Sequence, residues 1–260
     1  MKERIRTICK DVEENNDVKI LFAIENGSRA WRMESEDSDY DVRFVFARST
    51  EHYISLKKKR DVIEAFYDEE GKKCNASEAF IDMVGFDLFK YLKLLAKSNP
   101  TTIEWLMTDI VYYGDQNKVF KSFAENKFNP KALFYHYKSM CKNNYLKYLK
   151  SGDKVTYKKY LYAYRGLVNA KWVLYKDSIP PMKFPETLKK SVGIIPEKIL
   201  SKLKDIIKLK KKGKEEDIID NIPEMDRFIE EFLDSNEEPP SRKSKSVDKL
   251  DEELKRIILE

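Results

Sequence analysis

Asp39 and Asp41 stand two residues apart in Ser38-Asp39-Tyr40-Asp41, just ahead of the apolar run from Val42 to Ala47. Residues at i and i+2 of a strand project from one face, so both carboxylates point the same way. Two like charges at that spacing are uncomfortable unless a cation lies between them. Hard oxygen ligands of this kind suit Mg²⁺, which takes one or two carboxylates and fills its shell with water and phosphate oxygens. Mn²⁺ suits the same oxygen set. Upstream, Val18 to Ile24 reads as a strand, and Gly27-Ser28 forms the turn after it. Glycine lets backbone N–H groups come close to a triphosphate, and the serine hydroxyl adds a donor. A short helix expected over residues 28–33 turns its positive end toward those phosphates, with Arg29 beside them. An anion cradle and metal-binding carboxylates on adjacent strands make a phosphoryl-transfer site. The plain alternative is a solvated acidic turn between two strands.

The elements that position these residues follow from periodicity. Ile5, Ile8, Cys9 and Val12 predict a first helix over residues 3–13, broken at Asn15-Asn16-Asp17. Strands are expected over 40–47, 62–67 and 78–84, with helical character from Thr50 to Lys58 and a polar hairpin over 68–75. The last of these strands contains Ile81-Asp82-Met83-Val84. A carboxylate in an apolar run is expensive to bury and wants a partner. Leu88, Tyr91, Leu92 and Leu95 mark an amphipathic helix over 86–97, at whose start Asp87 reads as a cap. A short helix over 101–107 and an edge strand over 110–113 complete this part.

From about Asn117 the pattern is helical. Between Tyr135 and Lys176 there are ten Lys and Arg against one acidic residue, Asp153, and nine of the chain's fifteen tyrosines. Cations for phosphates and rings for bases are what a nucleotide- or strand-binding surface needs. Lys158, Tyr162, Arg165, Asn169 and Trp172 recur at spacings of four and three, hence on one helix face. Lys158, Tyr162 and Arg165 are the candidates for contact with nucleotide or acceptor. The plain alternative is a bundle whose tyrosines pack the core while its lysines stay in water. His52 and His136 read as ordinary structure. Further helices are expected over 196–210 and 215–233, then a polar, mobile segment over 235–246 and a last amphipathic helix over 247–260.

The chain has 260 residues, 37% of them charged and 42% hydrophobic, with a net charge of +5. Its surface is therefore heavily charged, and no apolar run approaches the roughly 20 residues that span a bilayer. No signal-peptide core follows Met1, and the three cysteines, Cys9, Cys74 and Cys141, are scattered without metal-ligand spacing. A reduced, cytoplasmic setting is the expectation.

Gly27-Ser28 followed by Asp39-x-Asp41 resembles the signature of the DNA polymerase β-type nucleotidyltransferase superfamily. The longer string Gly27-Ser28-Arg29-Ala30-Trp31 … Asp37-Ser38-Asp39-Tyr40-Asp41-Val42-Arg43-Phe44 is similar to its branch of predicted nucleotidyltransferases associated with RNA repair. Gly85-Phe86-Asp87-Leu88 … Glu104-Trp105-Leu106 and Tyr157 to Trp172 also resemble that branch. The chain departs from it at Phe86 and Phe89, where Trp and Arg are expected, at Arg32-Met33 in place of Gly-Phe, and at Lys171 in place of Arg.

The resemblance implies an α+β fold: a small mixed β-sheet nucleotidyltransferase domain with helices on one face over 1–115, then an α-helical domain over 116–234. A linker and C-terminal helix follow over 235–260, and the nucleotide is expected in the cleft between the domains. Asp82 becomes the third metal-binding and catalytic carboxylate beside Asp39 and Asp41, with Asp87, better explained as a helix cap, as its competitor. Gly27, Ser28, Arg29, Lys158, Tyr162 and Arg165 become the nucleotide-binding set. Two Mg²⁺ ions, an NTP with ATP favoured, and an RNA end as acceptor are the expected partners, with no membrane. A protein hydroxyl is the second acceptor reading. A nucleotide-binding regulator without turnover is the alternative of a different class.

Overall fold

In a computed structural model the described residues are 1–36, 38–57, 59–152, 154–214, 217–239 and 246–260, without the Lys214 side chain. Asp37 of the acidic string, Lys58 at the end of the expected 50–58 helical stretch, Asp153, the expected helix start at 215 and the middle of the 235–246 segment lie outside them. The chain divides into two compact units. Residues 1–30 and 39–128, with the C-terminal helix, make the first; residues 31–38, with the helices between Phe128 and that last one, make the second.

The first unit is built on a five-stranded mixed sheet. Its strands are β1 (Lys19–Glu25), β2 (Tyr40–Ala47), β3 (Val62–Tyr67), β4 (Ile81–Asp87) and β5 (Val111–Gly114), in the order β3-β4-β2-β1-β5. β2 and β4 are parallel and the other pairs antiparallel. β4 begins three residues later than the sequence suggests, because Ala76–Glu78 closes into a 3₁₀ turn. It then runs through Gly85 and Phe86 to Asp87. The helix α1 (Lys2–Asn16) lays Ile5, Ile8, Cys9 and Val12 on a core of Val42, Phe44, Phe46, Ile63, Tyr67, Ile81 and Met83. Side chains alternate along a strand, so Asp41, Arg43 and Val45 of β2, and Asp82 and Phe86 of β4, belong to the other face.

Beyond the one-turn α2 (Gly27–Ala30) and α3 (Thr50–Ile54), that other face is covered by α4 (Leu88–Ala96) and α5 (Pro100–Met107). Tyr91 meets Phe22 at 5.9 Å and Trp105 at 5.7 Å between ring centroids, and Trp105 meets Phe86 at 4.8 Å. Helices thus lie on both faces of the sheet, not one. Fully apolar stretches on β1 and β2 leave neither face fit for water. Asp87 caps α4 through a bond from the Phe89 N–H, and Asn99 caps α5 ahead of Pro100. α6 (Lys118–Lys127) and the C-terminal helix complete the unit.

The second unit is helical: α7 (Pro130–Asn144), α8 (Tyr157–Lys176), α9 (Phe184–Lys190), α10 (Glu197–Leu209) and α11 (Pro223–Asp234). α12 (Asp248–Leu259) is the C-terminal helix of the first unit. α7 and α8 form the main pair of the second unit. Much of the tyrosine content is core with a polar handle. Tyr160 donates to Asp226 at 2.8 Å, Tyr164 to the Met225 carbonyl at 2.8 Å and Tyr145 to Glu230 at 2.7 Å. α11 starts at Pro223, eight residues after the sequence-based start, since proline favours the first helical turn and Ile218 bridges Thr156 in extended form. Among the described residues no helix is long and apolar enough to cross a membrane.

Candidate active site

β1 brings Glu25 to its end, and the chain then folds back on β2. The Asn26 N–H donates to the Asp41 carbonyl at 2.8 Å. Gly27 takes a φ of 60°, and a Cβ there would stand 1.8 Å from Asp41 Oδ2. Only glycine lets this turn rest against the carboxylate. Ser28 follows, buried, in a helix of a single turn, Gly27–Ala30, shorter than the expected 28–33. The chain leaves helical geometry there, and Arg32 adopts a positive φ of 59°. Arg29 donates from Nε to the Asp39 carbonyl at 3.1 Å, with its guanidinium 3.9 Å from the centre of the Tyr40 ring.

The parallel register sets Asp41 directly opposite Asp82. Between them lies Arg43, whose Nη2 donates to Asp41 Oδ1 at 3.0 Å and Asp82 Oδ2 at 2.9 Å. Its Nη1 donates to the carbonyls of Val42 and Asp82, each at 2.9 Å. Asp82 Oδ1 is buried with no hydrogen-bond partner. Asp39 is exposed just before β2. Burial raises the Asp41 pKa; Arg43 opposes that, while the carboxylates of Asp82 and Asp39 add to it.

A second layer lies beneath. Glu25, fully buried, accepts the Asp41 N–H at 2.9 Å through Oε1 and the Tyr112 hydroxyl through Oε2. Burial pushes its carboxyl up to about 7, helped by Asp41 and opposed by those two hydrogen bonds and Arg29. Burial and Glu25 likewise push the Tyr112 hydroxyl up. Neither Glu25 nor Arg43 was singled out from the sequence. Both carry a readable signal: Arg43 continues the 39, 41 alternation onto the same strand face, and Glu25 ends an apolar strand where a carboxylate demands partners.

Gly27, Ser28, Arg29, Asp39, Asp41 and Asp82 all belong to the first unit, and the turn, Asp41 and Asp82 come together in it. Among the described residues no three His, Cys, Asp or Glu side chains gather as a ready metal cage. The pair nevertheless fits Mg²⁺, which needs only one or two carboxylates when phosphate and water supply the rest. It offers facing carboxylates, an oxygen of Asp82 without a protein partner and a like-charge burden on Asp41.

Lys158, Tyr162 and Arg165 lie on α8 of the second unit. Arg165 is only 4% exposed, with its guanidinium 3.7 Å from the centre of the Trp31 ring. Tyr162 meets that ring edge-on at 6.0 Å. Asn169 and Trp172, on the same face, are buried too. Lys158 and Tyr162 are half-buried.

The profile of the family described as RlaP, the RNA repair pathway DNA polymerase beta family, matches residues 1–260. The Bacillus subtilis (strain 168) protein YcgL, described as uncharacterized, is 34% identical over 261 residues, covering 100% of this chain and 95% of that protein. The crystal structure of a nucleotidyltransferase-like protein from Exiguobacterium sibiricum 255-15 aligns over 90% of this chain and 72% of its own, at 13% identity and a TM-score of 0.30. A profile matched from first residue to last, and a relative aligned over nearly its whole length, assign this chain to the RNA repair pathway DNA polymerase beta family.

Proposed function

We propose that this protein is a metal-dependent nucleotidyltransferase that moves an NMP from an NTP, ATP first among them, to the hydroxyl of an RNA end. The observation that supports this best is Asp41 facing Asp82 across parallel strands with the Gly27 turn pressed on Asp41. The free thiols of Cys9, Cys74 and Cys141 suit a reducing cytoplasm.

In the transfer, the acceptor oxygen forms a bond to the α-phosphorus, and the bond from that phosphorus to the oxygen bridging to the β-phosphate breaks. Pyrophosphate leaves with the electron pair, and Asp82 takes the acceptor's proton. Gly27 and Ser28 hold the β- and γ-phosphates through backbone N–H and hydroxyl. Arg29 offsets charge on the departing pyrophosphate. Arg165 holds the Trp31 ring, and Tyr162 meets that ring edge-on. Asp39, Asp41 and Asp82 would hold magnesium, which would supply charge neutralisation and a lowered pKa for the acceptor hydroxyl.

The test is incubation of the protein with each of the four α-labelled NTPs, Mg²⁺, and either total RNA or cell protein. Label in RNA, with pyrophosphate released, is the expected result. Label in protein moves the acceptor to a protein hydroxyl. Tight NTP binding without pyrophosphate marks a regulator instead. D41N and D82N should each lower transfer by on the order of 10⁴-fold or more, the scale of losing one member of a catalytic unit. Unchanged transfer in both rejects the site.

A further inference from the structure

No step of the proposed transfer uses Arg43, yet Arg43 is the cation in direct contact with both central carboxylates. Its side chain is 15% exposed and its grip is fourfold. Nη1 is anchored on two backbone carbonyls, Val42 and Asp82, and Nη2 takes Asp41 Oδ1 and Asp82 Oδ2. The anchoring on backbone matters. The guanidinium is held there by the strands themselves, not only by the two acids, so its charge is a fixed part of the site.

The charge balance sets the consequence. Asp41 and Asp82 with one guanidinium leave a single net negative charge, to which exposed Asp39 adds one more from the start of the strand. A divalent ion entering between Asp41 and Asp82 would stand beside the guanidinium in a half-buried place, where repulsion between the two cations exceeds that in water. It would also compete for Asp41 Oδ1 and Asp82 Oδ2, the oxygens Arg43 already occupies. A nucleotide changes this balance, because its phosphates bring negative charge to the ion and offer the guanidinium another partner.

We propose that Arg43 is a built-in cation that holds Asp41 and Asp82 together before substrate arrives and opposes a divalent ion bound without nucleotide. This rests on the reading that the pair is where the ion is held. Arg43 is a positioning residue: it sets the order in which ion and nucleotide are taken up, favouring the two together over the ion alone. Because linkage is reciprocal, the nucleotide must tighten the ion by the factor by which the ion tightens the nucleotide.

The test uses Mn²⁺ alone, with free ion read by electron paramagnetic resonance and unfolding read by a thermal melt, so that no turnover is needed. R43M should bind Mn²⁺ on the order of 10-fold more tightly than the wild type, within the usual range of coupling between sites. R43K, which keeps the charge, should stay near the wild type. Without Mn²⁺, R43M should melt lower than the wild type, and added Mn²⁺ should raise its Tm by more. If R43M folds poorly, R43Q, which keeps two donors without the charge, makes the same comparison. Binding by the uncharged variants that is equal to or weaker than the wild type overturns the proposal; weaker binding would make Arg43 a group that orients the acids for the ion. D82N separates the two levels. If D82N retains wild-type Mn²⁺ affinity, or the wild type takes up no Mn²⁺ even with NTP, the pair does not hold the ion and both readings fall. If D82N loses the ion while R43M matches the wild type, only the role of Arg43 falls.

Discussion

Replacing Glu25 by Gln should make the protein more stable at neutral pH and flatten part of its pH dependence. Burial carries the Glu25 carboxyl from its ordinary 4.5 up to about 7. An acid whose pKa is higher in the folded than in the unfolded state prefers its proton when folded. Its contribution is therefore fully present below pH 4.5 and is lost as pH rises through 7. At about 1.4 kcal/mol per pKa unit, the ionised carboxylate costs the folded state about 3 kcal/mol above that point. Glutamine resembles the protonated acid: its carbonyl still accepts the Asp41 N–H, and its amide faces the Tyr112 oxygen. Rearranging the Tyr112 hydrogen bond gives back about 1 kcal/mol. E25Q should then be about 2 kcal/mol more stable than the wild type near pH 8, with the difference shrinking through zero to about 1 kcal/mol in favour of the wild type at pH 4.5. Urea unfolding of both proteins, followed by tryptophan fluorescence in steps across that window, measures the gap directly. A difference between the two proteins that stays constant from acid to alkaline would refute the reasoning, because it would mean that Glu25 titrates alike in both states.

Two glycine substitutions test the packing on either side of the same strand. G27A places a methyl where Asp41 Oδ2 now sits, at a backbone φ of 60°. Transfer should fall by about 100-fold, as it does when a reacting group is displaced by an ångström, with the circular dichroism spectrum kept. G85A drives a methyl to 2.1 Å from the Phe44 ring, which is locked in the core under α1. Its urea midpoint should drop by the equivalent of about 1–3 kcal/mol, the cost of overpacking. An unshifted midpoint would mean that the ring moves aside freely.

The residues that could do chemistry were visible early because their types are rare in their settings. Asp39 and Asp41 break into a strand pattern at period two, and Asp82 interrupts an apolar run. The bounds of β2 and β3 follow from short runs of β-branched and aromatic residues. The end of β4 did not, since Gly85-Phe86-Asp87 satisfies helix and strand patterns alike and pairing with β2 decides between them. Tyr160 and Tyr164 read equally as ligand surface or core until Asp226 and the Met225 carbonyl, distant in sequence, close on their hydroxyls.

The sequence by itself determined which carboxylates share a strand face, where the glycine turn falls and which family the pattern resembles, because each is local and set by a period of two or by backbone freedom at one residue. Tertiary structure alone decided that Asp82 faces Asp41, that Arg43 lies between them, and that Glu25 is buried beneath with Tyr112. Strand order and register, which no local pattern encodes, choose the neighbours of every charge. Those neighbours, more than residue type, set how each acid binds a proton or a cation.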